Sequence, residues 1–199
     1  TTWATPFIWK TDLRTEIVTC GKRMNRSYDL EGNLIWEFDG NMSNLIIPSP
    51  YASEGLLYIT SGYVGDRNRP VFAIRPGATG DISLDHDEAS NEFIAWHQPT
   101  AGPYNPSSIV YRNRYYTLYD FGFLTCHDAF TGEEIFGKER FPGRNSFTSS
   151  PWAYNGKLFF INEEGNTHVV NADGGYEVSH TNTLDELTLA SPAISQGKL

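Results

Sequence analysis

The sequence of 199 residues is short of several things, and each shortage closes a class. It has two cysteines, Cys20 and Cys126, far apart and in different segments, so no disulfide framework holds it. Both read as small buried hydrophobes. No Cys-x-x-Cys-His site for haem attachment exists, no Gly-x-Ser-x-Gly elbow and no phosphate loop; Gly62-Tyr63-Val64-Gly65 lacks the Lys-Ser/Thr that would complete one. No apolar run reaches the 18 or so residues that span a bilayer as a helix. Basic residues are scarce, 15 against 24 acidic, and the formal net charge is −9. That excludes the basic footprint of a nucleic-acid binder and disfavours a grip on anionic lipid. No helical periodicity of useful length appears; only Asp185-Glu186-Leu187 hints at one helical turn. Thr1-Thr2-Trp3 offers neither an initiator Met nor a signal peptide, as in a processed or truncated product.

What is abundant is aromatic residues, 14% of the chain, and glycine, 18 residues. Both suit short twisted strands joined by tight turns. The chain also repeats itself. A Pro- or Ser-rich lead-in precedes a short apolar strand at Pro6, Pro50, Ser108, Pro151 and Pro192, at intervals of 44, 58, 43 and 41 residues. Each lead-in is followed by a turn and further short strands. The clearest copy is Ser149-Ser150-Pro151-Trp152-Ala153, then Asn155-Gly156, then Lys157-Leu158-Phe159-Phe160-Ile161. A period of about 40–50 residues built of short strands predicts the blades of a β-propeller.

The repeats cover about 3–40, 44–98, 103–143, 146–185 and 189–199. The first reads as strands at Ala4–Trp9, Glu16–Cys20, Arg26–Leu30 and Asn33–Phe38. The second reads as Pro50–Ala52, Leu56–Thr60, Val71–Ile74 and Glu92–Trp96, lengthened by a loop from Ser61 to Pro70 and an acidic insertion from Gly80 to Asn91. The third reads as Ser108–Tyr111, Tyr115–Tyr119, Phe123–Asp128 and Glu134–Phe136. The fourth includes Thr167–Ala172 and Tyr176–His180. Gln196-Gly197-Lys198-Leu199 repeats the opening of a second strand, so the expectation is four blades and the start of a fifth within one domain or fragment spanning 1–199.

The turn between third and fourth strands is the specific signal. Asp128-Ala129-Phe130-Thr131-Gly132-Glu133-Glu134-Ile135-Phe136 resembles the Ala-x-Asp-x-x-Thr-Gly-x-x-x-Trp pattern of pyrroloquinoline-quinone-type (PQQ-like) repeats. Asp29-Leu30-Glu31-Gly32-Asn33-Leu34-Ile35-Trp36 is a variant with Glu31 for Thr. Trp96 stands in the second repeat, displaced by the insertion, and Asn171-Ala172-Asp173-Gly174-Gly175 is the most degenerate copy. The resemblance covers essentially the whole chain. It implies a ring of seven or eight blades in which Trp36, Trp96 and Phe136 dock one blade on the next. It also implies a periplasmic or extracellular setting.

The family resembled includes quinoprotein dehydrogenases, which hold the quinone in the central channel, often under a disulfide of adjacent cysteines, beside a calcium ion and a catalytic Asp. It also includes cofactor-free relatives such as the lipoprotein scaffold of the outer-membrane barrel assembly machinery. This chain has no adjacent cysteines and no carboxylate pair that maps onto those roles. Neither PQQ nor calcium is therefore expected, and the enzyme reading is second to a non-catalytic scaffold. Asp81-Ile82-Ser83-Leu84-Asp85-His86-Asp87-Glu88 offers hard oxygens to a cation but lacks the glycine and terminal Glu of a helix–loop–helix calcium loop, so a solvated loop is the expectation. His86, His97, His127, His168 and His180 form no ligand doublet.

Propellers bind at their rims, through loops carried on rigid blades. The loops Asn41–Ile47, His97–Asn105, Gly143–Phe147 and Asp185–Leu189 precede inner strands, and Tyr104, Arg144 and Asn145 are the candidate rim side chains. The expected occupant is a protein partner or a small ligand; a polysaccharide- or peptide-binding module is a third reading. Association of two copies, or blades beyond this sequence, would cover faces left open.

Overall fold

The structure is a computed structural model, described here for residues 2–194; the strand opening expected at Gln196–Leu199 lies outside the described residues. The described residues contain strands and no helix, gathered into four sheets, and the fold is an all-β propeller of four blades. The first blade is β1 (Phe7–Lys10), β2 (Thr15–Thr19), β3 (Met24–Tyr28) and β4 (Leu34–Asp39). The second is β5 (Tyr51–Ser53), β6 (Leu56–Thr60), β7 (Val71–Ile74) and, after a two-residue β8 (Gly80–Asp81), β9 (Ile94–Gln98). The third is β10 (Ile109–Tyr111), β11 (Arg114–Tyr119), β12 (Phe123–Asp128) and β13 (Glu134–Arg140). The fourth is β14 (Trp152–Tyr154), β15 (Lys157–Ile161), β16 (Asn166–Asn171) and β17 (Val178–Thr183).

Within each blade the four strands pair antiparallel in chain order. The pairing of third with fourth strand carries a register shift in every blade, beside Tyr28, Ile74, Cys126 and Val170. A bulge at that place adds local twist, which a blade of a propeller requires. The acidic insertion contributes a strand that sequence reasoning missed: β8 pairs parallel with β4, setting Gly80 opposite Trp36 and Asp81 opposite Glu37.

The chain forms two compact units. Unit 1 holds the residues up to Tyr104 with Phe130–Gly132; unit 2 holds Asn105–Ala129 and the residues from Glu133 onward. Each is a pair of blades with a shared core. In unit 1, Trp9, Val18, Trp36 and Phe38 of the first blade bury against Leu57, Ile59, Phe72 and Ile74 of the second. In unit 2, Tyr116, Leu118, Leu124 and Cys126 bury against Leu158, Phe160 and Val170, with Phe141 and Phe147 beneath. Side chains of this size contribute about 1.5–3 kcal/mol each when fully buried. Strict alternation puts them on one face, because successive strand residues point to opposite sides.

The lead-ins are tied blade to blade. In unit 1 the Thr5 N–H donates to Ser49 Oγ (3.2 Å). In unit 2 the Ser107 N–H donates to Ser150 Oγ (2.9 Å), and the Ser150 N–H to Ser191 Oγ (2.8 Å). These bonds span 44, 43 and 41 residues, the same intervals as the sequence repeat.

Four expectations are corrected. The first strand begins at Phe7, not Ala4, since Pro6 has no N–H and Thr5 is bonded to Ser49. β13 continues to Arg140 rather than ending at Phe136. β17 starts at Val178 because Tyr176 turns its ring into the unit 2 core, edge-on to Phe136 (6.2 Å) and Phe141 (5.7 Å). Asp185–Leu187 forms no helical turn: Asp185 has φ +56°, and Leu184 and Thr188 donate N–H bonds to Gly165 and Glu163.

Candidate functional site

The rim loops of unit 1 brace one another. Asn44 donates its backbone N–H and its amide to the two oxygens of Asp66 (2.6 and 2.7 Å), and Lys22 donates to Asn44 Oδ1. The Ser43 N–H reaches Ser61 Oγ (2.9 Å) while its hydroxyl donates to the Asn68 carbonyl (2.7 Å). The Asn41–Ile47 loop, linking the two blades, is thereby fastened to the Ser61–Pro70 loop. Beside them lies a cavity of about 340 Å³. Phe72, Leu84 and His97 are among its walls, and Asp39, Asp85, Asp87 and Glu88 give it negative charge. His97 stacks flat on Phe72 (4.3 Å, 11°), and burial pushes its pKa down. Tyr104 belongs to this unit and sets its ring edge-on to Tyr63 (5.2 Å).

Arg144 and Asn145 lie in unit 2 and diverge. Arg144 is exposed. Asn145 is buried, 7% exposed, and faces inward. Its Oδ1 accepts from Asn162 Nδ2 (2.9 Å) and from His168 Nε2 (2.9 Å), and its Nδ2 donates to the Pro142 carbonyl (3.0 Å). Two donors on one oxygen require His168 to carry its proton on Nε2, leaving Nδ1 to accept from Thr181 Oγ1 (3.0 Å). His168 also stacks on Phe141 (5.0 Å, 17°), and burial pushes its pKa down. Asn145 is thus a fastener of the Gly143–Phe147 loop, with its amide committed inside the unit. His168 was not singled out by sequence; its signal was an alternation shared with the apolar Val170, two residues along the same strand face.

The aromatic residues of the outer strands lie as follows. Trp36 is fully buried, and its Nε1 donates to Glu16 Oε2 (2.7 Å). Glu16 itself is fully buried; its other donors are Ser27 Oγ (2.5 Å) and Arg14 Nε (2.7 Å). Arg14 also donates to the Ala78 carbonyl. Trp96 is 4% exposed and lies over Gly132, where a β-carbon would come within 2.7 Å of the indole; Gly132 has φ +71°. Phe136 is half-buried against Tyr116 and Tyr176. Glu16 is the residue sequence reasoning missed. It shares a strand face with Val18, and an acid in the apolar phase of a strand marks a buried charge with partners.

The donor set does not fit a quinone and calcium centre. Cys20 and Cys126 are buried, unbridged and in different units. Burial raises both thiols to about 12. Among the described residues no group of three or more His, Cys, Asp or Glu side chains comes together to hold a metal ion. In the acidic loop Asp81 accepts from the Ser83 hydroxyl (2.6 Å) and N–H (2.9 Å), which lowers its pKa, and Asp87 pairs with His86 (2.9 Å) in solvent. No helix among the described residues is long and apolar enough to cross a membrane.

No family model matches the chain. No curated protein sequence matches it. Solved structures do. The computationally designed Ika8 protein superposes with TM-score 0.59 and 12% identity, over 95% of this chain and 52% of its own. The quinohemoprotein alcohol dehydrogenase from Comamonas testosteroni superposes with TM-score 0.58 and 12% identity, over 84% of this chain and 34% of its own. BamB from Moraxella catarrhalis gives TM-score 0.42 at 12% identity, over 91% of this chain and 61% of its own, too loose a match to carry an argument. The chain spans about half the length of the designed protein and a third of the dehydrogenase. At such identity the likeness shows the fold alone, that of a β-propeller.

Proposed function

We propose that this chain is part of a non-catalytic propeller scaffold, of seven or eight blades in all, that binds a protein partner through the rim loops of unit 1 and works in the periplasm or outside the cell. One observation carries the binding reading. Loops from two blades are cross-braced by Asn44–Asp66 and Ser43–Ser61, and beside them lies a cavity lined by the acidic Asp39, Asp85, Asp87 and Glu88 together with the apolar Phe72 and Leu84. Braced loops lose little conformational entropy when a partner docks, which favours affinity. The chemistry that suits the cavity is a basic side chain with an apolar stem, Lys or Arg on a peptide, and the chain's charge of −9 steers such a partner toward it. Tyr104, in the same unit, remains a candidate contact of this kind, whereas the exposed Arg144 lies in unit 2 and is a candidate rim side chain of that unit alone.

The test is anisotropy of labelled Lys/Arg-rich and Asp/Glu-rich peptides, with dye-linked alcohol oxidation after adding PQQ and calcium. The expected result is binding of the basic peptide alone, weakened by salt and by about tenfold in a D85N/D87N/E88Q variant. Oxidation of alcohol would instead favour a fragment of a quinoprotein dehydrogenase. Binding of neither peptide would overturn the rim reading.

A further inference from the structure

The acidic insertion is fastened at both ends and carries its charges between the fastenings. Its front end lies on the first blade. β8 pairs with β4, the Ile82 N–H donates to the Glu37 carbonyl (2.9 Å), and the Ile82 side chain is buried in the unit 1 core. The Asp39 N–H donates to Ser83 Oγ (3.0 Å), and that hydroxyl donates to Asp81 Oδ1 (2.6 Å). Its back end lies on the second blade. There Asn91 Oδ1 accepts from the N–H groups of Phe93 (3.0 Å) and Ile94 (2.7 Å), where β9 begins. The Arg75 guanidinium donates to the carbonyls of Asn91 and Glu92 (3.0 Å each).

One hydrogen bond joins the two ends. Asn91 Nδ2 donates to the Ile82 carbonyl (3.1 Å), and among the described residues no other hydrogen bond crosses the base of this flap. Beyond that base, Leu84, Asp85, His86, Asp87 and Glu88 line the cavity, which Asp39 lines from the first blade. Leu84 packs on the unit 1 core. The rest of the tip bonds only to itself: the Glu88 N–H to the Asp85 carbonyl (3.1 Å), the Asp85 N–H to Glu88 Oε2 (3.3 Å), and His86 to Asp87. Its three carboxylates repel one another and Asp39. The place of the acidic wall is therefore set from its base.

We propose, resting on the rim reading above, that Asn91 is the positioning residue of the basic-peptide site. Its amide donates to one end of the flap and accepts from the other, and so holds Asp85, Asp87 and Glu88 where an incoming Lys or Arg meets them. Asn91 does not line the cavity and acts only through the flap. An amide is suited to this, because it donates and accepts at once.

Asn91→Asp separates the two halves of that amide. The carboxylate still accepts from Phe93 and Ile94 but cannot donate to Ile82. It also adds a negative charge, which by charge alone strengthens the binding of a basic peptide. The expected result is the opposite. Anisotropy with the labelled Lys/Arg-rich peptide should show binding about three- to tenfold weaker. Hydrogen exchange of the chain without peptide should quicken at Ile82 and Glu88, the bonded amides of the flap. In the D85N/D87N/E88Q background the same substitution should leave the remaining affinity unchanged, since no charged wall is left to position. Ser83→Ala, which removes the acceptor of the Asp39 N–H at the front fastening, should act in the same direction as Asn91→Asp. Circular dichroism melts confirm that the variants fold. Binding by Asn91→Asp as tight as that of the unaltered chain, unchanged exchange in the flap, or an equal loss in the neutralised background would each overturn the proposal and leave the rim reading standing. An unaltered chain that binds no basic peptide would overturn both.

Discussion

The two units bury polar groups in opposite ways. Unit 1 buries a charge: Glu16 lies at zero exposure with Arg14, Ser27 and Trp36 donating to its oxygens. Unit 2 buries a neutral node: Asn145 accepts from His168 and Asn162. A buried carboxylate is tolerable only when donors surround it, because desolvation costs several kcal/mol per ion. A buried amide and imidazole need only complete hydrogen bonds. Unit 1 is therefore the more sensitive to loss of any one partner, and unit 2 the more sensitive to acid.

The largest effect should come from breaking the charged node. Glu16→Ala costs about 3–5 kcal/mol, since Arg14 and the indole N–H of Trp36 lose their acceptor in the core. Trp36→Ala costs roughly 3–5 kcal/mol by cavity formation. The double variant should cost less than the sum, because the two share a bond. Denaturant midpoints of the three proteins check this; strict additivity would mean that the Trp36–Glu16 bond contributes nothing.

The neutral node should be cheaper to break. Asn145→Ala leaves His168 Nε2 and Asn162 Nδ2 unmatched and costs about 1–3 kcal/mol. Asn145→Asp sharpens the contrast, for a carboxylate beside His168 favours the imidazolium and raises its pKa. Titration of His168 by NMR in that variant should move upward; an unmoved value would place the ring out of reach of residue 145.

Gly132→Ala should cost about 1–2 kcal/mol for the left-handed backbone alone, and more if Trp96 fails to withdraw. Trp96 fluorescence should shift with it. A melt identical to the unaltered protein would show that the indole does not rest on this turn.

The smallest effect is acid sensitivity. Burial lowers the pKa of His97 in unit 1 and of His127 and His168 in unit 2. The unfolded chain therefore takes up protons first. Stability is full above the ordinary histidine pKa of about 6.5 and is lost as pH falls below it. Melts between about pH 7 and pH 5 should show the decline, and His168→Gln should remove part of it. A rise in melting temperature on acidification would reverse the assignment.

The blades were legible because their cause is local: alternation, Gly turns and a spacing of lead-ins that the structure repeats as hydrogen bonds of the same span. Leu56–Thr60, Val71–Ile74, Phe123–Asp128 and Lys157–Ile161 are strands with the bounds their pattern suggests. β8 was not legible, since a two-residue strand has no period and exists only because β4 lies beside it. Tyr176 looked like strand by propensity and became core by tertiary contact. The same holds at the sites. Arg144 and Asn145 are neighbours with equal claims in the sequence, and the distant partners Asn162 and His168 hold one inward while the other points out.

The lead-in hydroxyls described above carry a consequence for how the molecule opens. Thr5, Ser107 and Ser150 each send a backbone amide to an oxygen that belongs to the following repeat. Such an amide is slowed by a bond that reaches the next blade, so separation of the two blades frees it even while its own strand holds. Three backbone positions therefore act as built-in gauges of blade separation: one at the lead-in of unit 1, one between the blades of unit 2, and one beyond the fourth blade. Slow exchange at Thr5 and Ser107 with fast exchange at Ser150 would mean that both blade pairs hold while the last repeat peels away.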